Sequence, residues 1–128
     1  MSYYNSKVVE TGFDETIAKV TEELKKVGFG VLTEIDVTAT LKKKLDVDFR
    51  KYRILGACNP PFAHKALTAE PNIGVMLPCN VVVQETEENK IQVSVINPME
   101  SMKTVQNSEL DKIASDVSSK LSSVLEQL

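Results

Sequence analysis

The sequence predicts an α+β domain: a mainly antiparallel sheet covered by two long helices, in the order β-α-β(4)-α with short helical inserts. Three observations predict it. Two stretches, one from Phe13 and one from Leu110, space their apolar residues by threes and fours, as one face of a helix does. Segments of alternating or continuous apolar character outnumber those helices. At least one pair of such segments is close enough in sequence to form a hairpin, which favours antiparallel pairing.

Each element follows from local chemistry. Residues 3–10 (YYNSKVVE) read as the first strand. Thr11 and Asp14 resemble a capping box, offering a hydroxyl and a carboxylate to orphan N–H groups. Phe13, Ile17, Val20, Leu24 and Val27 form the stripe of the first long helix, and Gly28 suits its left-handed terminator. Val31–Val37 alternates as a strand, and Thr38 is expected to cap a short helix with Leu41 and Leu45 inside and Lys42–Lys44 outside. Tyr52–Asn59 reads as a third strand. Pro60-Pro61 then opens a short helix with Ala63, Ala66 and Leu67 on its inner face, because the amides missing from proline are orphans there anyway. Val75–Glu85 reads as a fourth strand interrupted by Pro78, which suits an edge, a bulge or a bend there. A turn at Glu87-Glu88-Asn89 leads to a fifth strand over Lys90–Asn97, and Pro98–Gln106 reads as a connection. The closing helix starts at Ser108 and carries Leu110, Ile113, Val117, Leu121, Val124 and Leu128.

With 128 residues and no repeat, linker or low-complexity tract, one domain over 1–128 is expected. No apolar stretch approaches the ~20 residues of a membrane span, and MSYYNSKVVE lacks a signal-peptide apolar run, so a cytoplasmic protein without membrane partners is expected. In that compartment Cys58 and Cys79 are expected to stay reduced. The net charge of −3 argues against a general nucleic-acid binder. It hides an asymmetry: residues 42–65 carry seven basic residues against Asp46 and Asp48, a local excess of five that leaves −8 elsewhere. That split can attract a small anionic ligand, and it equally describes a solvated face.

Three segments, GFGVLTEIDV at 28–37, LGACNPPFAHKAL at 55–67 and LPCNVVV at 77–83, resemble the family named domain of unknown function 302. The Cys-Asn-Pro-Pro and Leu-Pro-Cys-Asn pieces carry most of that resemblance. It implies a fold similar to one repeat of the TATA-binding protein and a tendency to pair as homodimers. The family has no established activity, so no catalytic residues carry over, and fold similarity alone implies no nucleic-acid function.

Several residues are candidates for chemistry. Cys58 precedes the expected start of a helix, where a thiol can have a lowered pKa, and His64 follows within two turns. If the strands of Cys58 and Cys79 are neighbours, Cys58, His64 and Cys79 can converge as soft ligands for a metal ion. The spacing matches no standard zinc module, and both cysteines equally suit small buried positions. Asn59 and Asn80 each follow a cysteine and can serve a ligand or satisfy loop backbone. Glu34 and Asp36 share one side of a strand, and Arg53 can pair with either or fork onto a carboxylate or phosphate. No phosphate loop, nucleophile elbow or dinucleotide fingerprint occurs, which counts against the familiar hydrolases, kinases and nicotinamide enzymes but not against an unfamiliar one. Three functions stay open. The first is a homodimeric ligand- or anion-binding module using Cys58, Asn59, His64, Cys79, Asn80, Arg53 and Glu34. The second is a thiol- or metal-dependent enzyme using Cys58, His64 and Cys79. The third is an interaction or regulatory domain whose residues serve packing alone.

Overall fold

The computed structural model describes residues 2–86 and 89–128. Its strands are β1 (Tyr4–Val9), β2 (Gly30–Asp36), β3 (Tyr52–Cys58), β4 (Cys79–Glu85) and β5 (Ile91–Ile96). Its helices are α1 (Phe13–Lys26), α2 (Val37–Leu45), α3 (Pro60–Ala69), α4 (Pro98–Ser101) and α5 (Glu109–Glu126), with 3-10 turns at Pro71–Met76 and Lys103–Val105. The five strands form one antiparallel sheet in the order β1-β5-β4-β3-β2. The α+β architecture and the β-α-β(4)-α order are those expected from the sequence. No helix of the described residues is long and apolar enough to cross a membrane.

Strand alternation decides what faces the helices. Val9 of β1, Leu55 and Ala57 of β3, Val81 and Val83 of β4, and Ile91, Val93 and Val95 of β5 point to one side. There they pack against Val20 and Leu24 of α1 and Val117, Leu121 and Val124 of α5. Each fully buried aliphatic side chain contributes about 1.5–3 kcal/mol, so this layer holds the fold. The opposite face carries Tyr4, Val8, Ile35, Ile54, Val82 and Ile96, none of which is fully buried. Because β1 and β2 lie at opposite edges, α1 must cross the whole sheet. Its 14 residues span about 21 Å, and five strands are about 19 Å wide.

A smaller core lies beside the main one. Ala66 of α3, Ile73 of the first 3-10 turn and Leu110 of α5 are buried together, flanked by Ala69, Leu77, Met102, Val105 and Ile113. This satellite anchors everything between β3 and β4.

Several local expectations are corrected. The N-cap of α1 is Gly12 and makes no side-chain cap bond; Thr11 instead shares a hydrogen bond with Thr16 at 2.6 Å. Asp36, not Thr38, caps α2, accepting from the Ala39 N–H at 3.0 Å. Thr38 lies inside that helix and ties it to the strand entrance, donating to the Arg50 carbonyl and accepting from the Tyr52 N–H. Helix α2 buries no residue, and Leu45 is exposed. Leu67 is also exposed, leaving Phe62, Ala63 and Ala66 as the inner side of α3. Residues 75–77 belong to a 3-10 turn and its end, so β4 begins only at Cys79, after a cis Leu77–Pro78 bond. The connection over 98–106 holds α4 and a 3-10 turn. Residues 87 and 88 of the expected turn lie outside the described residues; Asn89 beside them has a φ of 60°, the left-handed region that asparagine tolerates.

Candidate functional site

The residues singled out in the sequence fall in separate places. Cys58, Asn59 and Cys79 share one. The antiparallel register sets Ala57 opposite Cys79, so the two cysteines stand at the same end of neighbouring strands. Both line a cavity of about 60 Å³ whose other walls include Phe29, Phe62, Ala66, Ile73, Met102 and Leu110. The space is roughly that of two liquid waters, and walls so poor in polar groups give water little to bond with.

Asn59 is the polar residue of this wall and is buried. It is spent on structure: its side-chain oxygen accepts from the Phe62 N–H, and its amide group lies over Gly28. Gly28 has φ +88°, and a Cβ there would stand 3.0 Å from the asparagine nitrogen, so both backbone and space call for glycine. The first turn of α3 keeps no spare amide. Pro60 and Pro61 have none, Phe62 donates to the Asn59 side chain, and Ala63 donates to the Asn59 carbonyl at 2.9 Å. The helix start therefore offers Cys58 no free donor, contrary to the sequence expectation.

Both cysteines are free and half-buried. Burial pushes the Cys79 thiol up to about 11, and charge on Cys58 acts in the same direction. Such a thiol is protonated at neutral pH and is a poor nucleophile. His64 is exposed on α3 and does not line the cavity. Among the described residues no three of His, Cys, Asp and Glu are grouped to hold a metal ion, so Cys58, His64 and Cys79 do not form the expected ligand set.

Asn80 follows Cys79 by one residue and so takes the other face of the sheet. It lies in a shallow groove of about 310 Å³ with Tyr52, Gln84, Gln92 and Ser94. The expected site thus splits between the two Cys-Asn pairs and again within the second.

Arg53 and Glu34 occupy a third place. Arg53 lies five residues from Cys58 along β3, about 17 Å away. Its guanidinium reaches Glu34 at 2.5 Å and Asp36 at 3.5 Å, so the pairing expected from the sequence exists. It also stands 5.6 Å from the Phe13 ring centre, and its Nε is buried without an acceptor. The guanidinium lines a cleft of about 470 Å³ with Phe13, Asp14, Asp36, Lys42, Asp48, Phe49 and Lys51. This cleft shares no lining residue with the thiol cavity, so Arg53 and Glu34 do not join Cys58, Asn59 and Cys79 in the one site expected from the sequence.

Sequence reasoning missed Phe29, Met102 and Leu110 as cavity walls, and Phe13 as the floor of the cleft. Phe13 and Leu110 were visible only as members of helical stripes. Phe29 stood between two glycines, a signal that the chain turns tightly around a buried ring.

Comparison with known proteins follows the fold. The family model for the domain of unknown function DUF302 matches residues 5–128. The crystal structure of an uncharacterized conserved DUF302 protein from Bacillus stearothermophilus is similar over 99% of this chain and 98% of that chain, with a TM-score of 0.92 and 31% sequence identity. A search of the curated proteins finds no match.

Proposed function

Since the chain belongs to the DUF302 family, whose description names no activity, we propose from the geometry alone that it is a non-catalytic binding module for a small apolar molecule. The ligand enters the cavity between α3, the 71–76 turn and α5, against the two sulfurs. The observation that carries this reading is the wall itself: Phe29, Phe62, Ile73, Met102 and Leu110 surround Cys58 and Cys79, with no charged side chain among the lining residues. A dry apolar space gains most from an apolar occupant, since nothing there needs to be desolvated. Catalysis is the weaker reading. The sole imidazole is elsewhere, Cys79 is held protonated, and the first turn of α3 has no amide to spare for an anion.

At about 60 Å³ the resting space takes only a few heavy atoms. A larger guest has to push α3 outward, which the satellite core resists with just Ala66, Ile73 and Leu110 fully buried. Thermal unfolding with and without benzene as the probe tests the proposal. The parent should melt about 5 °C higher at a benzene concentration roughly ten times its Kd. Ala63→Leu, which fills the space from a partly exposed position, should abolish the shift. Equal shifts in both proteins, or none in the parent, would reject the cavity as a binding site.

A further inference from the structure

The charged cleft at the opposite end of β3 carries an inference independent of the cavity. Its ionic groups are of both signs, and most are already matched. Lys42 is held by Asp46 at 3.0 Å and Asp48 at 3.4 Å, and Arg53 by Glu34 and Asp36. Asp36 is further engaged as the cap of α2. Removing these pairs leaves one cation and one anion. Lys51 and Asp14 are exposed, line the cleft, and make no ion pair among the described residues.

Lys51 Nζ stands 5.9 Å from the Phe13 ring centre, and Asp14 follows Phe13 in the chain. Phe13 also begins α1, whose cap residue Gly12 supplies no side-chain acceptor. The amides of Phe13 and Asp14, both residues of the cleft, have no acceptor among the described residues, and they belong to the positive end of a 14-residue helix. Behind them the buried Arg53 Nε is also without one. At about 470 Å³ the cleft is the size of a small-molecule site.

We propose that this cleft binds a small zwitterion, an α-amino acid or a molecule with the same adjacent carboxylate and ammonium groups. The carboxylate lies against Lys51 and the first-turn amides, the ammonium against Asp14, and the apolar body over Phe13 towards Phe49. With the other charges matched, a simple anion at Lys51 would leave Asp14 uncompensated beside it, and a simple cation at Asp14 would leave Lys51 uncompensated in the same way. A zwitterion avoids both penalties, which replaces the small anion expected from the basic cluster.

Amide chemical-shift titration tests it with L-leucine and L-phenylalanine, and with their N-acetyl and carboxamide derivatives, which keep only the negative or only the positive charge. The free amino acids should give saturable shifts at Asp14, Lys51 and Arg53, with both derivatives about tenfold weaker or worse. Lys51→Gln and Asp14→Asn should each weaken binding by about tenfold, with melting unchanged because both side chains are exposed. The proposal is overturned if no free amino acid gives saturable shifts at those residues. Equal binding of free and capped probes, or parent-like affinity in both variants, overturns it too.

Discussion

The two ends of β3 belong to one strand and one sheet face-pair, yet they solve opposite problems. At the Cys58 end the strand runs under α3 and a 3-10 turn, and its surroundings are aliphatic, aromatic and sulfur-bearing. At the Arg53 end it emerges between α1 and α2, where carboxylates and cations alternate around an aromatic ring. Covering one end and leaving the other open makes the first depend on packing and the second on charge. The lesson is that burial, more than residue type, sets what each polar group can do. The same strand holds a guanidinium in ion pairs at one end and stands beside a thiol kept neutral at the other.

That contrast predicts unequal responses. The largest belongs to the apolar end: Ile73→Ala removes the central side chain of a core with few other fully buried members. It should cost about 3 kcal/mol in denaturant unfolding, whereas Leu67→Ala, on the exposed side of α3, should cost under about 0.5 kcal/mol. Similar losses for the two would mean that the satellite is not a core at all.

Next is the thiol. Cys79 has its pKa raised on folding, so its neutral form is the one the fold favours. The stabilisation is fully present below the ordinary thiol pKa of 9.0 and is lost as pH rises towards about 11. Unfolding free energy should therefore fall by on the order of 2 kcal/mol across that window. The part due to this group is what disappears in Cys79→Ala, and an unchanged slope in that variant would show the sulfur to be solvated. The smallest effect belongs to the charged end. Arg53→Met keeps the stem over Phe13 and deletes partly exposed ion pairs, so a loss of about 1 kcal/mol is expected, shrinking in high salt. A salt-independent loss would make Arg53 a packing residue.

Much of the architecture was readable from pattern because α1, α5 and the sheet face are built from repeated spacings, and a repeat survives a local misreading. Single-residue signals fared worse. Thr11 and Thr38 both looked like helix caps, but a hydroxyl can bond in several directions, and here each turned to a neighbour the sequence could not supply: Thr16 and the Arg50–Tyr52 backbone. Val75–Leu77 looked like strand by composition and is turn, because the satellite core claims Ile73 and Leu77. The site misled for a more instructive reason. Two Cys-Asn dipeptides suggested convergence, but alternation in a strand sends adjacent side chains to opposite faces, so Cys79 and Asn80 had to part. The pairing of Arg53 with Glu34 and Asp36 was legible because all three lay on faces that parity alone could assign.

The sheet order has a consequence for the growing chain. Among the described residues strand β1 pairs only with β5, through registers such as Tyr4 with Ile96 and Val9 with Ile91. During synthesis at roughly 5–20 residues per second, the opening strand waits several seconds for its partner to leave the ribosome. Closure is then a long-range event of the kind that slows folding. Until it happens, Tyr4 and Val8 sit on an unpaired ribbon whose free backbone edge another extended peptide can zip onto.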